Sequence, residues 1–207
     1  RDTYFLTLRY TYIVASDIKS LFLLLIQSPI IAYSISLIWE RAEIQLYFIM
    51  IVSCVWFGVI NASREIVKEK NIFIREKIFG LNQSSYLFSK LIVLFAICLI
   101  QNIILIYIVD SNVQLNCSIS KLIIVLLICS FGGINLGLMI SSMVNSSEKA
   151  LALAPIITIP QIMFSEVLQA EMNSSAQIIE KLMIVKWGFD SIKEMITPGS
   201  TSWQEFK

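Results

Sequence analysis

Residues 91–109 read LIVLFAICLIQNIILIYIV, and this uncharged stretch decides the fold class of the 207-residue chain. An α-helix rises about 1.5 Å per residue and the hydrocarbon core of a bilayer is about 30 Å thick, so one crossing needs roughly 20 mostly apolar residues. The stretch is rich in isoleucine and valine, but it does not alternate between apolar and polar side chains as a barrel strand would. We therefore predict a membrane-spanning helix.

Four further apolar runs of comparable length flank this stretch, two before it and two after it. They cover residues 20–38, 44–62, 122–142 and 150–167. The composition agrees, because 57% of the residues are hydrophobic, 15% are charged and the mean hydropathy is +0.76. The sequence thus predicts an all-α, polytopic helical membrane bundle with five visible spans, in which residues 20–168 form the transmembrane domain.

The charged and metal-binding side chains argue against several classes of function. The 16 Lys and Arg residues against 15 Asp and Glu give a net charge of +1, which disfavours a nucleic-acid-binding surface. Because the chain has no histidine, we predict neither a His-dependent catalytic residue nor a His-ligated metal. The four cysteines show no metal-ligand spacing and are interpreted as small packing residues. We expect no metal site and no cofactor within this 207-residue chain.

Residues 1–19 differ from the spans because charged residues interrupt them. Phe5, Leu8, Tyr12 and Ala15 fall on one side of a helix, which predicts an interfacial helix lying along the membrane. The alternative is the end of an ordinary water-exposed helix.

The distribution of Lys and Arg predicts the orientation, because short cytoplasmic loops are enriched in both. The segment 61–90 carries a cluster of them, whereas 110–120 has none. We predict that the amino terminus, 61–90 and 143–149 face the cytoplasm and that 39–43 and 110–120 face outward. Residues 169–207 would then form an extracytoplasmic segment that leads to a sixth span beyond this sequence.

Residues 61–89 read NASREIVKEKNIFIREKIFGLNQSSYLFS, a charged segment with an apolar side that lies between two spans. Isoleucine and phenylalanine recur among its charged residues, and Gly80 is a natural helix stop. Exposed apolar side chains on such a helix need a partner, which can be a second protein, the membrane surface or a motor domain. The alternative is a solvated loop that merely holds positive charge inside the cell.

Short motifs follow one another along the chain in a characteristic order. Those in the charged segment are Glu65 and Glu69, Phe73, Arg75-Glu76, Gly80, Ser85-Tyr86-Leu87 and Ser89-Lys90. Those elsewhere are Leu8-Arg9, Asp17, Gln27, Pro29, residues 145–150, Pro155, Pro160-Gln161, Phe164-Ser165 and residues 187–190. In order and spacing they resemble the membrane domain of the ABCG or White-type transporters, within the ABC-2 class of exporters, and most closely the bacterial members.

The resemblance implies that the segment between the second and third spans forms coupling helices that rest on a nucleotide-binding domain. Its coupling residues would be Glu69, Phe73, Arg75 and Glu76. Arg9 of the leading, or elbow, helix would pair with Glu76, with an unpaired surface charge as the alternative. Because the chain has no G-x-x-x-x-G-K-[ST] motif, ATP and Mg are expected on a nucleotide-binding domain of the same or a separate chain.

The resemblance also implies a substrate path between the second and fifth spans of two facing subunits, paired as a homodimer or heterodimer. The matching positions in this chain are Cys54, Phe57, Ile159, Ile162, Val167 and Leu168. For each of them the alternative is core packing or contact with lipid. The apolar lining implies an amphipathic or lipid-like substrate.

Small and polar residues inside the spans predict how the helices pack. Gly133, Gly137 and Ser141 form a small-residue stripe that allows two helices to approach closely. Uncharged polar residues at membrane depth are expected to form hydrogen bonds between helices, and these residues are Gln27, Gln101, Asn102, Asn135 and Gln161.

These observations predict the permease domain of an ATP-binding cassette exporter in the plasma membrane, which for a bacterium is the inner membrane. Such a domain is not an enzyme by itself. The alternative function is a non-transporting membrane scaffold or assembly protein that recruits a cytoplasmic partner. An intramembrane enzyme is disfavoured because histidine and mid-span acidic pairs are lacking.

Overall fold

A computed structural model of the chain describes residues 2–164 and 178–196. Helices account for most of these residues and no strand occurs among them, which confirms the all-α prediction. In chain order the elements are α1 (Asp2–Ser16), α2 (Ile18–Ile38), α3 (Ile44–Ala62), a 3₁₀ helix (Val67–Glu69), α4 (Lys70–Ile78), α5 (Gln83–Val113), α6 (Ile119–Met143), α7 (Ser147–Met163) and α8 (Ile184–Ile196).

Four helical stretches are long and apolar enough to cross a membrane. They are α2, α5, α6 and the stretch Ile44–Ile78 that begins with α3. They contain the predicted runs 20–38, 44–62, 91–109 and 122–142. The fifth run forms α7, which has 17 residues and ends at Met163. Residues 165–167 of that run lie outside the described residues. A fifth crossing therefore stays a prediction.

Close backbone contact between α3 and α6 forms the centre of the fold. A Cβ atom built on Gly58 of α3 would lie 2.4 Å from a carbonyl oxygen of α6. A Cβ atom on Gly133 would lie 2.4 Å from the carbonyl oxygen of Val55, and one on Gly137 would lie 2.6 Å from another carbonyl oxygen of α3. Gly133 and Gly137 of the predicted stripe thus both face α3, and Gly58 completes the contact from the opposite side.

Helix α3 is enclosed on most of its circumference by α5, α6, α7 and α8. Its exposed or partly exposed residues recur at intervals of three or four and therefore lie on one side of the helix. They are Gln45, Ile49, Val52, Trp56 and Ile60.

Uncharged polar side chains join α2, α3 and α5 in the interior. Asn61 donates to Oε1 of Gln101 at 2.7 Å and accepts from Nε2 of Gln27 at 3.2 Å. The side-chain amide of Gln101 donates to the backbone carbonyl oxygen of Leu24 at 2.7 Å. The backbone carbonyl oxygen of Gln101 accepts from the hydroxyl of Ser28 at 2.6 Å. Such bonds hold helices together where no water competes, which is the role predicted for Gln27 and Gln101.

The other three polar residues singled out from the sequence differ from one another. Asn102 donates to a serine hydroxyl of α6 at 2.9 Å and so joins α5 to α6. Oε1 of Gln161 accepts from the first two backbone amides of α8, at 2.8 and 3.4 Å, and so caps that helix. For Asn135 the prediction is wrong. Its side chain is exposed and bonds to a carbonyl oxygen of its own helix, because it lies on the outer side of α6.

Helix α8 lies against α3 and α6 through one apolar side. Val185, Gly188, Phe189 and Ile192 are its buried residues. The ring of Phe189 meets the ring of Phe48 edge-on, with 5.8 Å between centroids. Helix α8 therefore belongs to the same core as the long helices.

Replacing Gly133 by alanine should destabilise the protein, because a Cβ atom 2.4 Å from a backbone oxygen forces α3 and α6 apart. We expect the free energy of unfolding to fall by about 2 kcal/mol, measured as a lower midpoint of thermal unfolding in detergent. Gly132→Ala is the matched control, because its Cβ would meet the movable end of the Ile184 side chain at 2.8 Å. Equal midpoints for the two variants would contradict the close contact.

Candidate functional site

The helical path breaks between α3 and α4, where residues 63–66 form turns. The amides of Glu65 and Lys68 on either side of the break bond to backbone carbonyls three or four residues earlier. The amides of Ile66 and Val67 instead both donate to the hydroxyl oxygen of Ser141, each at 3.0 Å. Ser141 of α6 thus takes the place of two carbonyl acceptors.

Helix α4 is bounded by a glycine turn. Gly80 has φ of +92°, a left-handed conformation that glycine adopts without strain and that commonly ends a helix. The side chain of Asn82 then accepts from the amide of Ser84 at 2.9 Å and caps α5. The chain is thereby turned back from α4 into the bundle.

Lys90 of α5 is a buried cation beneath this segment, with 1% of its side chain exposed. Its Nζ lies 2.7 Å from Oε2 of Glu69 and 3.6 Å from the ring centre of Tyr10. The hydroxyl of Tyr86 donates to the same Glu69 oxygen at 3.3 Å. A carboxylate and an aromatic face both stabilise a desolvated ammonium group. Lys90 therefore links α1, α5 and the 3₁₀ helix at one point.

Tyr10 also joins α1 to the turns after α3. Its hydroxyl donates to Oε2 of Glu65, and Nζ of Lys68 lies 3.5 Å from the other oxygen of that carboxylate. Burial, and then the negative charge of Glu65, raise the pKa of Tyr10 well above its ordinary value. The phenol therefore remains a hydrogen-bond donor at neutral pH.

Arg9 and Glu76 form a second link between α1 and the segment. The two guanidinium nitrogens of Arg9 donate to the two carboxylate oxygens of Glu76 at 2.6 and 3.1 Å. The hydrogen bond to Glu76 raises the pKa of Arg9 above its ordinary value. Because both side chains are partly exposed, water screens the attraction, and the paired geometry fixes orientation more than it adds stability. The structure brings together the two residues that the sequence resemblance paired.

Three of the four predicted coupling residues face the bundle. Glu69 contacts Lys90, Glu76 contacts α1, and the ring of Phe73 lies 4.6 Å from that of Tyr86. The fourth coupling residue, Arg75, is exposed together with neighbouring apolar side chains. The exposed residues of α4 and of the position that follows it include Ile74, Arg75, Ile78 and Phe79. The segment is a short helix held firmly on one side and open on the other.

The model of one protein family, described as the ABC-2 type transporter, matches residues 4–196, from α1 to the end of α8. The chain belongs to the ABC-2 type transporter family. No curated protein matches it. The ABC-2 membrane domain is the permease component of a transporter and is not catalytic, so this chain is an integral membrane protein and not an enzyme by itself.

Within this ABC-2 membrane domain, the predicted substrate-path residues do not share one surface. Cys54 and Phe57 are completely buried in the core around α3. Ile159 of α7 exposes half of its surface, and Ile162 packs against the core. The remaining two positions lie outside the described residues, and they are Val167 and Leu168.

Sequence reasoning used Lys90 only as part of a motif and as one of the basic residues of 61–90. It assigned no role to Tyr10 and gave Ser141 only a packing role. A signal for Lys90 exists, because it is a lone cation at the edge of an uncharged run, where an unpaired charge is costly. Nothing local marks Tyr10, whose partners are distant in sequence. In residues 2–164 and 178–196, no group of three or more His, Cys, Asp or Glu could hold a metal ion.

Replacing Lys90 by methionine, which keeps the length of the side chain, should lower the free energy of unfolding by about 3 kcal/mol because Glu69 loses its partner. Adding Glu69→Gln removes the second charge and should recover most of the loss. The control Lys68→Met removes a lysine that is 42% exposed and should cost less than about 1 kcal/mol. Thermal unfolding in detergent measures all three variants. If the double variant is no more stable than Lys90→Met, the pairing is contradicted.

Proposed function

We propose that the chain forms one membrane half of an ATP-driven exporter and that the segment 61–90 receives the movement of a nucleotide-binding domain. The placement of α4 carries this proposal. Its inner side and the preceding 3₁₀ helix are held by Arg9, Tyr86 and Lys90, while its outer side presents Ile78 and Phe79. A firmly held helix transmits a push, and an exposed apolar surface needs a partner.

The nucleotide-binding domain would carry ATP and Mg, on the same or a separate chain, because this chain contains no P-loop motif. Basic residues accompany the apolar ones on α4, namely Lys70, Arg75 and Lys77. The matching surface is therefore expected to combine an apolar depression with acidic side chains. Arg75, rather than the three inward-facing coupling residues, would touch the partner directly.

Helix α1 suits the role of an elbow helix at the membrane surface. Tyr10 faces the bundle, whereas Phe5, Leu8 and Tyr12 are exposed on the side predicted to meet lipid. The basic residues of 61–90 favour a cytoplasmic position for this end of the bundle, with the amino terminus also inside. The membrane would be the plasma membrane, and the fifth and sixth crossings would complete the domain.

A second membrane domain, identical or different, would face the open sides of α3 and α7 across the substrate path. The open side of α3 includes Val52 and Trp56, and that of α7 includes Ile156, Ile159 and Met163. These apolar surfaces suit an amphipathic or lipid-like substrate. The predicted path residues of α3 would then support the lining from within the core.

A non-transporting membrane scaffold is the second candidate, because it would use the same exposed side of α4 to recruit a cytoplasmic partner. The two functions differ in whether ATP hydrolysis moves a substrate. Reconstitution of the complete protein in liposomes with a fluorescent phospholipid separates them. ATP-dependent movement of the probe between leaflets favours the exporter, and partner binding without any such movement favours the scaffold.

Ile78→Asp should weaken the association of the membrane domain with its nucleotide-binding domain at least about tenfold, because it places a charge in an apolar contact. Ile78 is 78% exposed, so the isolated membrane domain should keep its unfolding temperature. Ile78→Leu is the control, because it keeps an apolar side chain at the same position and adds no charge. Binding and ATPase activity are measured in the complete transporter, and an unchanged Ile78→Asp variant would contradict the docking surface.

Glu76→Arg should lower the ATPase activity that accompanies transport, because it separates α4 from α1 and leaves Arg9 beside a like charge. Arg9→Glu should have the same effect, and the combined exchange should restore activity by re-forming the pair in reverse. Arg64→Glu, a charge reversal outside the pair, serves as the control. Failure of the combined exchange to exceed either single variant would rule out the pair as the connection.

A further inference from the structure

Two backbone amides at the break between α3 and α4 depend on one side chain of α6. Ile66 and Val67 both donate to the hydroxyl oxygen of Ser141, at 3.0 Å each, and Ser141 is completely buried. A buried amide without an acceptor costs free energy comparable to a lost hydrogen bond. The hydroxyl therefore fixes the start of the segment 61–90 to α6 and not merely to the end of α3.

The glycine stripe on α6 explains why the hydroxyl can reach these amides. At Gly137, one helical turn before Ser141, a Cβ atom would lie 2.6 Å from the carbonyl oxygen of Val59 and 2.8 Å from Cβ of Ala62. The missing side chain at Gly137 lets α6 approach the last turn of α3. The next small residue along the stripe then meets the break in the helical path.

The same end of α6 leads directly into α7. Nζ of Lys70 donates to Oδ1 of Asn145, the second residue after α6. The hydroxyl of Ser146 accepts from the amide of Lys149 at 3.4 Å and caps α7. The 3₁₀ helix also contacts α7. A displacement of the 3₁₀ helix and α4 can therefore reach α6 through Ser141, and it can reach the start of α7 through α6 and through these contacts.

We propose that Ser141 is a positioning residue through which movement of the segment 61–90 passes to α6 and to the start of α7. This role rests on the proposed function. Arg9 ties α4 to α1, and Lys90 ties the 3₁₀ helix to α5; neither contact involves α6. The Ser141 hydroxyl couples the segment to α6, the helix that precedes α7, and it adds to the contacts of Lys70 with Asn145 and of the 3₁₀ helix with α7. The open side of α7 faces the proposed substrate path.

Hydrogen–deuterium exchange of the complete transporter in lipid nanodiscs tests the bonds first. In the wild type, the amides of Ile66 and Val67 should be protected although they lie outside the α-helices, and Ser141→Ala should make them exchange roughly tenfold faster. Ser142→Ala is the matched control, because Ser142 is exposed and bonds to the carbonyl oxygen of Met139 in its own helix. Wild-type amides that exchange as fast as the exposed turn at Gly80 would overturn the proposal without any variant.

Trapping the transporter with ATP and vanadate then tests transmission. In the wild type we expect nucleotide-dependent changes in exchange at 68–78 and at 144–150. In Ser141→Ala the change at 68–78 should persist while that at 144–150 falls at least about threefold, the loss expected for one or two hydrogen bonds. A variant with a wild-type response at 144–150 overturns the positioning role. A wild type with no response anywhere overturns the proposed function, and the exchange at 66–67 still reports separately on the Ser141 bonds.

Discussion

The backbone contact between α3 and α6 sets the geometry on which the other parts of the bundle depend. Within a bilayer, apolar side chains gain little by leaving lipid for protein, so close packing and hydrogen bonds must hold helices together. Gly58, Gly133 and Gly137 supply the close packing by allowing two backbones to touch. Two other features depend on this contact. Helix α8 packs against both α3 and α6, and the hydroxyl of Ser141 accepts from the amide of Ile66 at the break after α3.

The charged segment is held by a different kind of force, since its contacts lie near the end of the bundle. An ammonium group as deeply buried as that of Lys90 is tolerated only when Glu69 and Tyr10 are both in place. These partners come from the 3₁₀ helix and from α1, so Lys90 joins both elements to α5 at one point. The exposed side of α4 is consequently offered at a fixed position and not on a loose loop.

Much of the fold can be read from the sequence, because long uncharged runs in a membrane have one stable secondary structure. The glycine stripe on α6 can also be predicted from the sequence, since small residues four apart share a helix face. The orientation of α4 is not, because charged and apolar residues occur on both of its sides, and only distant residues such as Arg9 and Tyr86 decide which side turns inward. The same limit applies to Cys54 and Phe57, whose burial depends on how four other helices surround α3. The second role of Ser141 required knowing that α3 breaks just where α6 passes.

The cap that Gln161 places on α8 contrasts with the contacts at the charged end. An amide oxygen carries no net charge, so its hold on the backbone of α8 does not weaken as ions are added. The pair of Arg9 and Glu76 is open to water, where about 0.1 M salt screens charges over roughly 10 Å. The contact between α1 and α4 therefore weakens with ionic strength, whereas the contact between α7 and α8 does not. Loosening by salt would begin at α4 and leave α7 and α8 joined.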